Sequence, residues 1–168
     1  MLSKRSALIR KVLTPNTFRI GMSLYPPFLF AGVRVEHVAP DWTAVRVRHR
    51  VSWWNGNHNG AAFGGTLSAM TDPFFGLLAL RQLGSGYVVW NTSASIQFRN
   101  AGRGSVTATM RLTTAETAAI RDATADGGKS LTTHSTEIIA SDGSVVAVAE
   151  QQLYVRARPS RYRSGTAE

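Results

Sequence analysis

The segment that decides the fold is NHNGAAFGGTLSAMTD, residues 57–72. It begins among turn-forming residues and continues as a run without Asp, Glu, Lys or Arg until Asp72. A second, mostly apolar run follows at residues 74–83. Because strand-like patterns precede and follow the whole block, we interpret it as one buried helix that the chain enters through a glycine-rich loop.

Two strands are predicted before this helix, at residues 33–39 and 43–51. The second alternates clearly, since Val45, Val47, His49 and Val51 share one face and three arginines occupy the other. We therefore expect His49 to be a hydrogen-bonded histidine of the core. The arginine row is expected to face solvent or a neighbouring subunit.

Four more strands are predicted after the helix. They cover residues 87–99, 105–113, 131–140 and 145–155, and the last two form a hairpin around Ser141-Asp142-Gly143. In the strand at 105–113, the inward-facing residues are Val106, Ala108, Met110 and Leu112. Residues 115–125 are predicted to form one or two helical turns between the strands.

This order of elements defines the predicted fold class. A single long helix with strands on both sides in sequence argues against a doubly wound α/β domain. It predicts an α+β protein in which an antiparallel β-sheet wraps around one long central helix.

The ends of the chain differ from its middle. Residues 3–13 place Leu8, Ile9, Val12 and Leu13 at helical spacing, and a second short helix is predicted at 16–24, before Pro26-Pro27. We therefore expect an amphipathic helical segment at 1–27, one domain at 28–156, and a basic, disordered tail at 157–168. The helical segment is expected to cover part of the sheet, with membrane association as an alternative.

Composition restricts the possible functions. The chain of 168 residues has no cysteine, which excludes disulfides and thiolate chemistry and suits a cytoplasmic protein. Its net charge is +9, and almost all of it comes from the two ends, because the residues between them are nearly neutral. We interpret these ends as solvated and expect no nucleic-acid partner, although lipid headgroups, RNA or a phosphate-bearing ligand remain alternatives. We find neither a secretory signal nor a transmembrane segment.

Asp72 is the first candidate for catalysis. It is the only acidic residue between Asp41 and Glu116, and a lone carboxylate is costly to bury in an apolar segment without a purpose. It is therefore a candidate general base or nucleophile. Alternatively, it caps a second helical segment that begins at Pro73.

The start of the helix offers the complementary group. Backbone N–H groups at a helix start lack intrahelical acceptors and lie at the positive end of the helix dipole. The N–H of Gly64 is therefore a candidate donor to an oxyanion. Glycine at positions 64 and 65 allows a ligand to approach the backbone closely.

These residues resemble a known family. Asn57, then Phe63-Gly64-Gly65 six residues later, then Asp72 nine residues after Phe63, resemble the motif of hotdog-fold acyl-CoA thioesterases of the phenylacetate-pathway type. In that family the motif is Asn or Gln, His-Gly-Gly, and Asp or Glu at the same spacings. The resemblance covers residues 28–156 and is strongest to a thioesterase-like branch without assigned substrates. It departs at Phe63, where the family has a histidine that helps to orient the substrate.

The resemblance implies a fold, an activity and a set of site residues. It implies a hotdog domain that hydrolyses acyl thioesters of coenzyme A or acyl carrier protein, without a metal or any cofactor other than the coenzyme A of the substrate. The implied catalytic residues are Asn57, Gly64 and Asp72. The substrate-binding candidates beside them are Gly60, Gly65, Phe63 and His58.

Distance along the helix predicts a dimer. Eight residues separate Gly64 from Asp72, which corresponds to about 12 Å of helix, so the two cannot act on one carbonyl within one chain. A second subunit with its central helix antiparallel to the first brings Asp72 of one chain to Gly64 of the other. We therefore predict a homodimer with two interfacial sites, and a dimer of dimers remains open.

Two further hypotheses stand beside the hydrolase. Because Phe63 replaces the motif histidine, a non-catalytic hotdog module that binds an acyl thioester or a hydrophobic ligand is the alternative. A nucleic-acid or anionic-membrane binder that uses the basic ends is the third. For a thioester ligand, Arg99 and Arg103 are candidates to contact the phosphates of coenzyme A, and Trp53 and Trp54 belong either to the acyl pocket or to the core.

Overall fold

A computed structural model of the protein describes residues 14–159. The amphipathic helix predicted at 3–13 and residues 160–168 of the predicted tail lie outside this range. Within it there are five helices and six strands. The helices are α1 (Pro15–Leu24), α2 (Pro26–Ala31), α3 (Gly64–Ala69), α4 (Phe74–Leu83) and α5 (Thr114–Ala123). The strands are β1 (Val33–Val38), β2 (Ala44–Arg50), β3 (Tyr87–Phe98), β4 (Ser105–Arg111), β5 (Lys129–Ala140) and β6 (Val145–Ala157).

The six strands form one antiparallel sheet in the order β1-β2-β4-β5-β6-β3. β1 and β3 are therefore the two edge strands. The predicted strands are all present, with small shifts at their ends. The α+β class, with an antiparallel sheet around a central helix, is confirmed.

The core lies between the concave face of the sheet and α4. Phe74, Phe75 and Leu78 of α4 are almost completely buried. The four inward-facing residues that the alternation of β4 predicts are also buried. This burial fixes α4 against the sheet and thereby positions the segment that precedes it.

The central helix has an interruption. Residues 70–73 form turns between α3 and α4, because Pro73 has no N–H to donate to the helical ladder. The N-cap residue of α4 is Pro73 itself, and no side chain hydrogen-bonds to this helix start. The restart at Pro73 is therefore confirmed, whereas the alternative in which the Asp72 side chain caps α4 is wrong.

Two other helices differ from expectation. Pro26 and Pro27 begin α2, because proline suits the first turn of a helix, where its missing N–H is not needed. α5 is ten residues long, more than the one or two turns predicted, and a capping box between Thr113 and Glu116 stabilises its start. Among residues 14–159, no helix combines the length and apolar character needed to cross a membrane.

Candidate functional site

The first part of the site is the start of α3. Phe63 is the N-cap residue in an extended conformation, and Gly64 and Gly65 are the first two helical residues. Neither glycine N–H donates to an acceptor within residues 14–159. Two backbone N–H groups are therefore available as donors at this helix start, because the first N–H groups of a helix have no intrahelical acceptor.

Two aromatic rings cover this glycine pair. A Cβ atom placed on Gly64 would lie 2.9 Å from the ring of Phe98, and one on Gly65 would lie 2.5 Å from the ring of Phe63. Both rings are themselves exposed. The space beside the two Cα atoms, which we expected to be open to a ligand, is therefore filled by two side chains.

A β-bulge in β3 determines which side chains of this strand form the opposite wall of the site. Asn91 pairs with Leu153 and Ser93 pairs with Gln152, so β3 carries one extra residue at this point. Before the bulge Asn91 faces inward, and after it Ala94, Ile96 and Phe98 do so. The inner side of β3 thus runs along α3, with Asn91 near Asp72 at one end and Phe98 over Gly64 at the other.

Asp72 lies in the turns between α3 and α4 and is exposed. The buried helix predicted over this segment therefore leaves Asp72 exposed in the single chain, although its neighbours Met70 and Thr71 are buried. The side-chain amide of Asn91 donates to the backbone carbonyl of Asp72 (2.9 Å) and to its carboxylate (3.2 Å). The same amide lies 3.4 Å from Oε1 of the buried Gln151. Asn91 thereby fixes both the turn and the carboxylate.

One polar atom of this network is unpaired. Oδ1 of Asn91 is buried and has no hydrogen-bond partner within the described part of the chain. A buried acceptor without a donor is unfavourable, so this oxygen is available to an N–H or O–H group of a ligand or water.

A cavity of about 320 Å³ lies between α3 and β3. Its lining residues come from the end of α3 and the turn after it, from β3 and from β6: Ser68, Ala69, Thr71, Asp72, Ala94, Ser95, Ile96, Ala149 and Gln151. Small side chains dominate this lining, so the cavity has room for an extended ligand group beside the carboxylate.

The loop before α3 is held by Asn57. Its Oδ1 accepts from the N–H groups of Asn59 (2.9 Å) and Ala61 (3.1 Å), and its Nδ2 donates to the carbonyl of Ala62 (3.4 Å). The Asn57 side chain therefore organises its own loop in this structure. In the same loop His58 is exposed, and Gly60 has a positive φ of 67°, which favours glycine.

Arg103 contacts this loop as well. Its Nη1 donates to the carbonyls of Asn59 (2.8 Å) and Gly60 (3.3 Å), so an exposed cation lies beside the predicted site. Arg99 instead donates to Gln97. Trp53 and Trp54 are exposed and do not line the cavity beside Asp72, so their assignment to the core is wrong.

Sequence reasoning missed Asn91 and Phe98. Both lie in a strand that was predicted correctly, but the bulge that turns them inward leaves no visible break in the sequence pattern. An asparagine within a run of small and β-branched residues was the available signal. Residues 14–159 contain no group of three His, Asp or Glu side chains that could hold a metal ion.

Two buried histidines do not line the cavity, although His134 pairs across the sheet with Gln151, which does. His134 stacks on Phe75, with its Nε2 2.9 Å from Thr132 Oγ1 and its Nδ1 3.7 Å from Glu116. His49 is buried as predicted, but neither ring nitrogen makes a hydrogen bond of good geometry within the described residues. Burial lowers the pKa of both imidazoles, because the protonated form loses its hydration.

Several solved structures share this architecture. A protein of unknown function from Pseudomonas aeruginosa, described as a probable thioesterase, is 21% identical, with a TM-score of 0.76 over 83% of this chain and 93% of that one. The Escherichia coli protein of the phenylacetic acid degradation operon is 16% identical, with a TM-score of 0.59 over 86% and 92%. A hypothetical thioesterase from Streptococcus pneumoniae, solved with coenzyme A, is 20% identical, with a TM-score of 0.55 over 78% and 91%.

The fold is therefore the hotdog fold that these solved structures share, and the predicted resemblance in fold is confirmed. The chain belongs to the family described as "Domain of unknown function (DUF4442)", whose model matches residues 15–155. A comparison with curated proteins gave no match.

Proposed function

We propose that the protein is an acyl-thioester hydrolase whose active site forms between two subunits. The observation that carries the proposal is the position of Asp72. The carboxylate is exposed beside a cavity, is fixed by Asn91, and lies at the opposite end of α3 from the unpaired Gly64 amide. A base and an oxyanion donor are the two groups that thioester hydrolysis requires.

In the proposed reaction, the thioester carbonyl accepts a hydrogen bond from the Gly64 N–H of one subunit. Asp72 of the other subunit either removes a proton from the attacking water or attacks the carbonyl itself. With water as the nucleophile, the C–S bond breaks to give a carboxylic acid and a free thiol. With Asp72 as the nucleophile, the thiol leaves first, and water then hydrolyses the mixed anhydride on Asp72 to give the same carboxylic acid. The helix start stabilises the negative charge that develops on the carbonyl oxygen.

The shape of the single chain favours a dimer. β3 is an edge strand, and its middle residues, 92–95, are exposed. An exposed edge strand with a half-open cavity beside it is a surface that a second copy of the chain can cover. A partner placed there brings its own α3 against the cavity, which supplies the missing half of each site.

The substrate is proposed to be an acyl thioester of coenzyme A or of acyl carrier protein. The structural neighbour from Streptococcus pneumoniae was solved with coenzyme A. In this chain Arg103 lies beside the loop that precedes α3, where a cation can bind a phosphate of such a substrate. The absence of cysteine fits the proposed cytoplasmic setting.

A non-catalytic module that binds acyl thioesters is the second candidate. It is favoured by the rings of Phe63 and Phe98, which fill the space over Gly65 and Gly64. Such a module would hold a hydrophobic ligand in the same cavity without reaching the oxyanion donor.

Thiol release separates the two candidates. The purified protein is incubated with short-chain, long-chain and aromatic acyl-CoAs, and free thiol is measured over time. The hydrolase proposal expects release well above the uncatalysed rate with at least one substrate class. Tight binding of an acyl-CoA without thiol release would support the binding module instead.

A further inference from the structure

A large apolar surface lies outside the lining of the cavity beside Asp72. It joins α1, α2 and the turn after β2, and we refer to it as the aromatic face. Its exposed members are Ile20, Leu24, Tyr25, Leu29, Phe30, Trp53 and Trp54. Trp53 is 95% exposed and Phe30 is 72% exposed, which is costly in water. A contiguous apolar surface of this kind marks an interaction site.

The two tryptophans are presented by a fixed turn. Trp53 and Trp54 are the central residues of the turn from Ser52 to Asn55, which Asn55 closes through its Oδ1, 2.7 Å from the N–H of Ser52. Nδ2 of Asn55 donates to the carbonyls of Ala31 (3.3 Å) and Arg50 (3.0 Å). The exposed indoles are therefore held beside the end of α2 by hydrogen bonds.

The helical part of the face is fixed as well. Phe18 and Phe28 bury the inner sides of α1 and α2 in the core. Ile20 and Leu24, four residues apart, then lie on one outer side of α1. The apolar side chains of the aromatic face are consequently directed outward by helices that are anchored from within.

The segments that form this face contain no carboxylate. Residues 14–35, which hold α1 and α2, contain Arg19 and Arg34 and no acidic residue. At the other end of the face, Arg50 is exposed, and its N–H donates to the carbonyl of Gly32. Between Asp41 and Asp72, which brackets the tryptophan turn, the sequence has no carboxylate. The surroundings are therefore complementary to an anionic surface.

We propose that the aromatic face docks the protein on an anionic lipid bilayer. Tryptophan prefers the interface between headgroups and acyl chains, where its ring is buried and its N–H stays hydrated. Apolar side chains that insert among the headgroups, together with basic residues that contact anionic phosphates, give reversible binding to a membrane surface. This proposal is independent of the proposed hydrolase activity.

A second copy of the chain is the competing occupant. The proposed subunit interface uses β3, whereas α1 and α2 adjoin β1, at the opposite end of the strand order. Dimerisation along β3 therefore does not by itself account for the aromatic face. The bilayer also explains the sign of the surrounding charge, because two identical basic surfaces would repel each other.

The test is sedimentation of the full chain with lipid vesicles. One set contains phosphatidylcholine alone, and the other adds about one third phosphatidylglycerol to supply negative surface charge. The variant carries Trp53→Ser and Trp54→Ser together. The matched control is Trp90→Ser, because Trp90 is 49% exposed, similar to the 50% of Trp54, but lies on β3 at the other edge of the sheet.

We expect the wild-type chain and the Trp90→Ser control to bind the anionic vesicles at about 0.1 M salt and to bind less as salt rises. The affinity of the double variant for the anionic vesicles should be lower by about tenfold or more. Lipids with brominated acyl chains should quench tryptophan fluorescence in the wild type and much less in the double variant.

Three results would overturn the proposal. The first is no binding of the wild-type chain to anionic vesicles. The second is equal binding by the wild type and the double variant. The third is a smaller oligomer for the double variant in analytical ultracentrifugation without lipid, which would assign the aromatic face to contact between copies of the chain.

Discussion

The side-chain amide of Asn91 donates to both the backbone carbonyl and the carboxylate of Asp72, at 2.9 and 3.2 Å. Asp72 lies in a turn between two helices and Asn91 lies before a bulge in an edge strand, so this contact joins the two walls of the site. The exposed carboxylate of Asp72 would otherwise sample several orientations. Asn91 is therefore a positioning residue for the proposed base.

Replacing Asn91 tests this role. In Asn91→Ala we expect kcat for thioester hydrolysis to fall about tenfold or more, because a hydrogen bond to a charged group is lost. KM should change little, since Asn91 orients the base. Steady-state kinetics on the acyl-CoA with the highest turnover provides both values.

Asn100→Ala is the matched control for Asn91→Ala. Asn100 follows the end of β3, and its side-chain amide donates to the carbonyl of Val145 (2.7 Å), not to Asp72. The control should keep the wild-type kcat. An equal fall of kcat in both variants would mean that β3 has been disturbed generally and would remove the specific role of Asn91.

The oxyanion donor can be deleted by a single substitution. Gly64 is the first residue of α3, a position that suits proline, and the preceding Phe63 (φ −69°, ψ 130°) already has a conformation that proline requires. Gly64→Pro therefore removes the N–H while keeping the helix. We expect kcat to fall by about 10²–10³-fold.

Gly64→Ala is its control, because it adds a Cβ against the ring of Phe98 but retains the N–H. Thiol release is measured for both variants, and circular dichroism verifies the fold. Equal losses in the two variants would indicate that crowding against Phe98 is responsible, and would contradict the assignment of the Gly64 amide.

Mixing two inactive chains tests the shared site. If Gly64 and Asp72 of different subunits act together, Gly64→Pro and Asp72→Asn chains should restore activity when they are refolded together. We expect about a quarter of the wild-type activity, because half of the randomly paired dimers are mixed and each mixed dimer holds one intact site. Activity that stays absent in a mixture of folded dimers would mean that the two groups do not act across the interface.

The buried histidines predict how stability depends on pH. Burial lowers the pKa of His49 and His134 in the folded chain below the ordinary value of 6.5, although Glu116 partly opposes this at His134. Below about pH 6.5 the unfolded chain therefore binds more protons than the folded one. The free energy of unfolding should be highest above this pH and should decrease as the pH falls below it.

Urea unfolding between about pH 5 and pH 8 measures this dependence. His134→Gln should reduce the slope of the free energy of unfolding against pH. His58→Gln, which removes an exposed loop histidine, should keep the slope of the wild type. An unchanged slope in His134→Gln would show that His134 does not take up the proton.

The sequence predicted the parts of the fold that depend on local patterns. Alternation in β2 and β4 predicted their buried faces, and Pro73 predicted where the central helix restarts. The extra residue in β3 was not predictable, since a bulge depends on the strand that pairs with it. For the same reason, the sequence does not show that Asn91 bonds to Asp72. Nor does it show that Phe98 lies over Gly64.

The sequence also did not predict which apolar-segment residues are exposed. Trp53 and Trp54 are apolar and were assigned to a pocket or the core, but they occupy a turn that Asn55 holds outward. Asp72 belongs to a segment that was predicted to be buried because its residues are mostly apolar, but its carboxylate is exposed while Met70 and Thr71 beside it are buried. Hydropathy does not distinguish a residue buried in its own chain from one that a partner surface covers.

The role of Asp72 in catalysis is tested by measuring thiol release by Asp72→Asn beside the wild type. Asparagine keeps an oxygen that can accept from Asn91, so the turn and the fold should be retained, as thermal unfolding will verify. The account predicts acyl-CoA hydrolysis by the wild type and a loss of about 10²-fold or more in the folded variant. Equal turnover by the two proteins would contradict it.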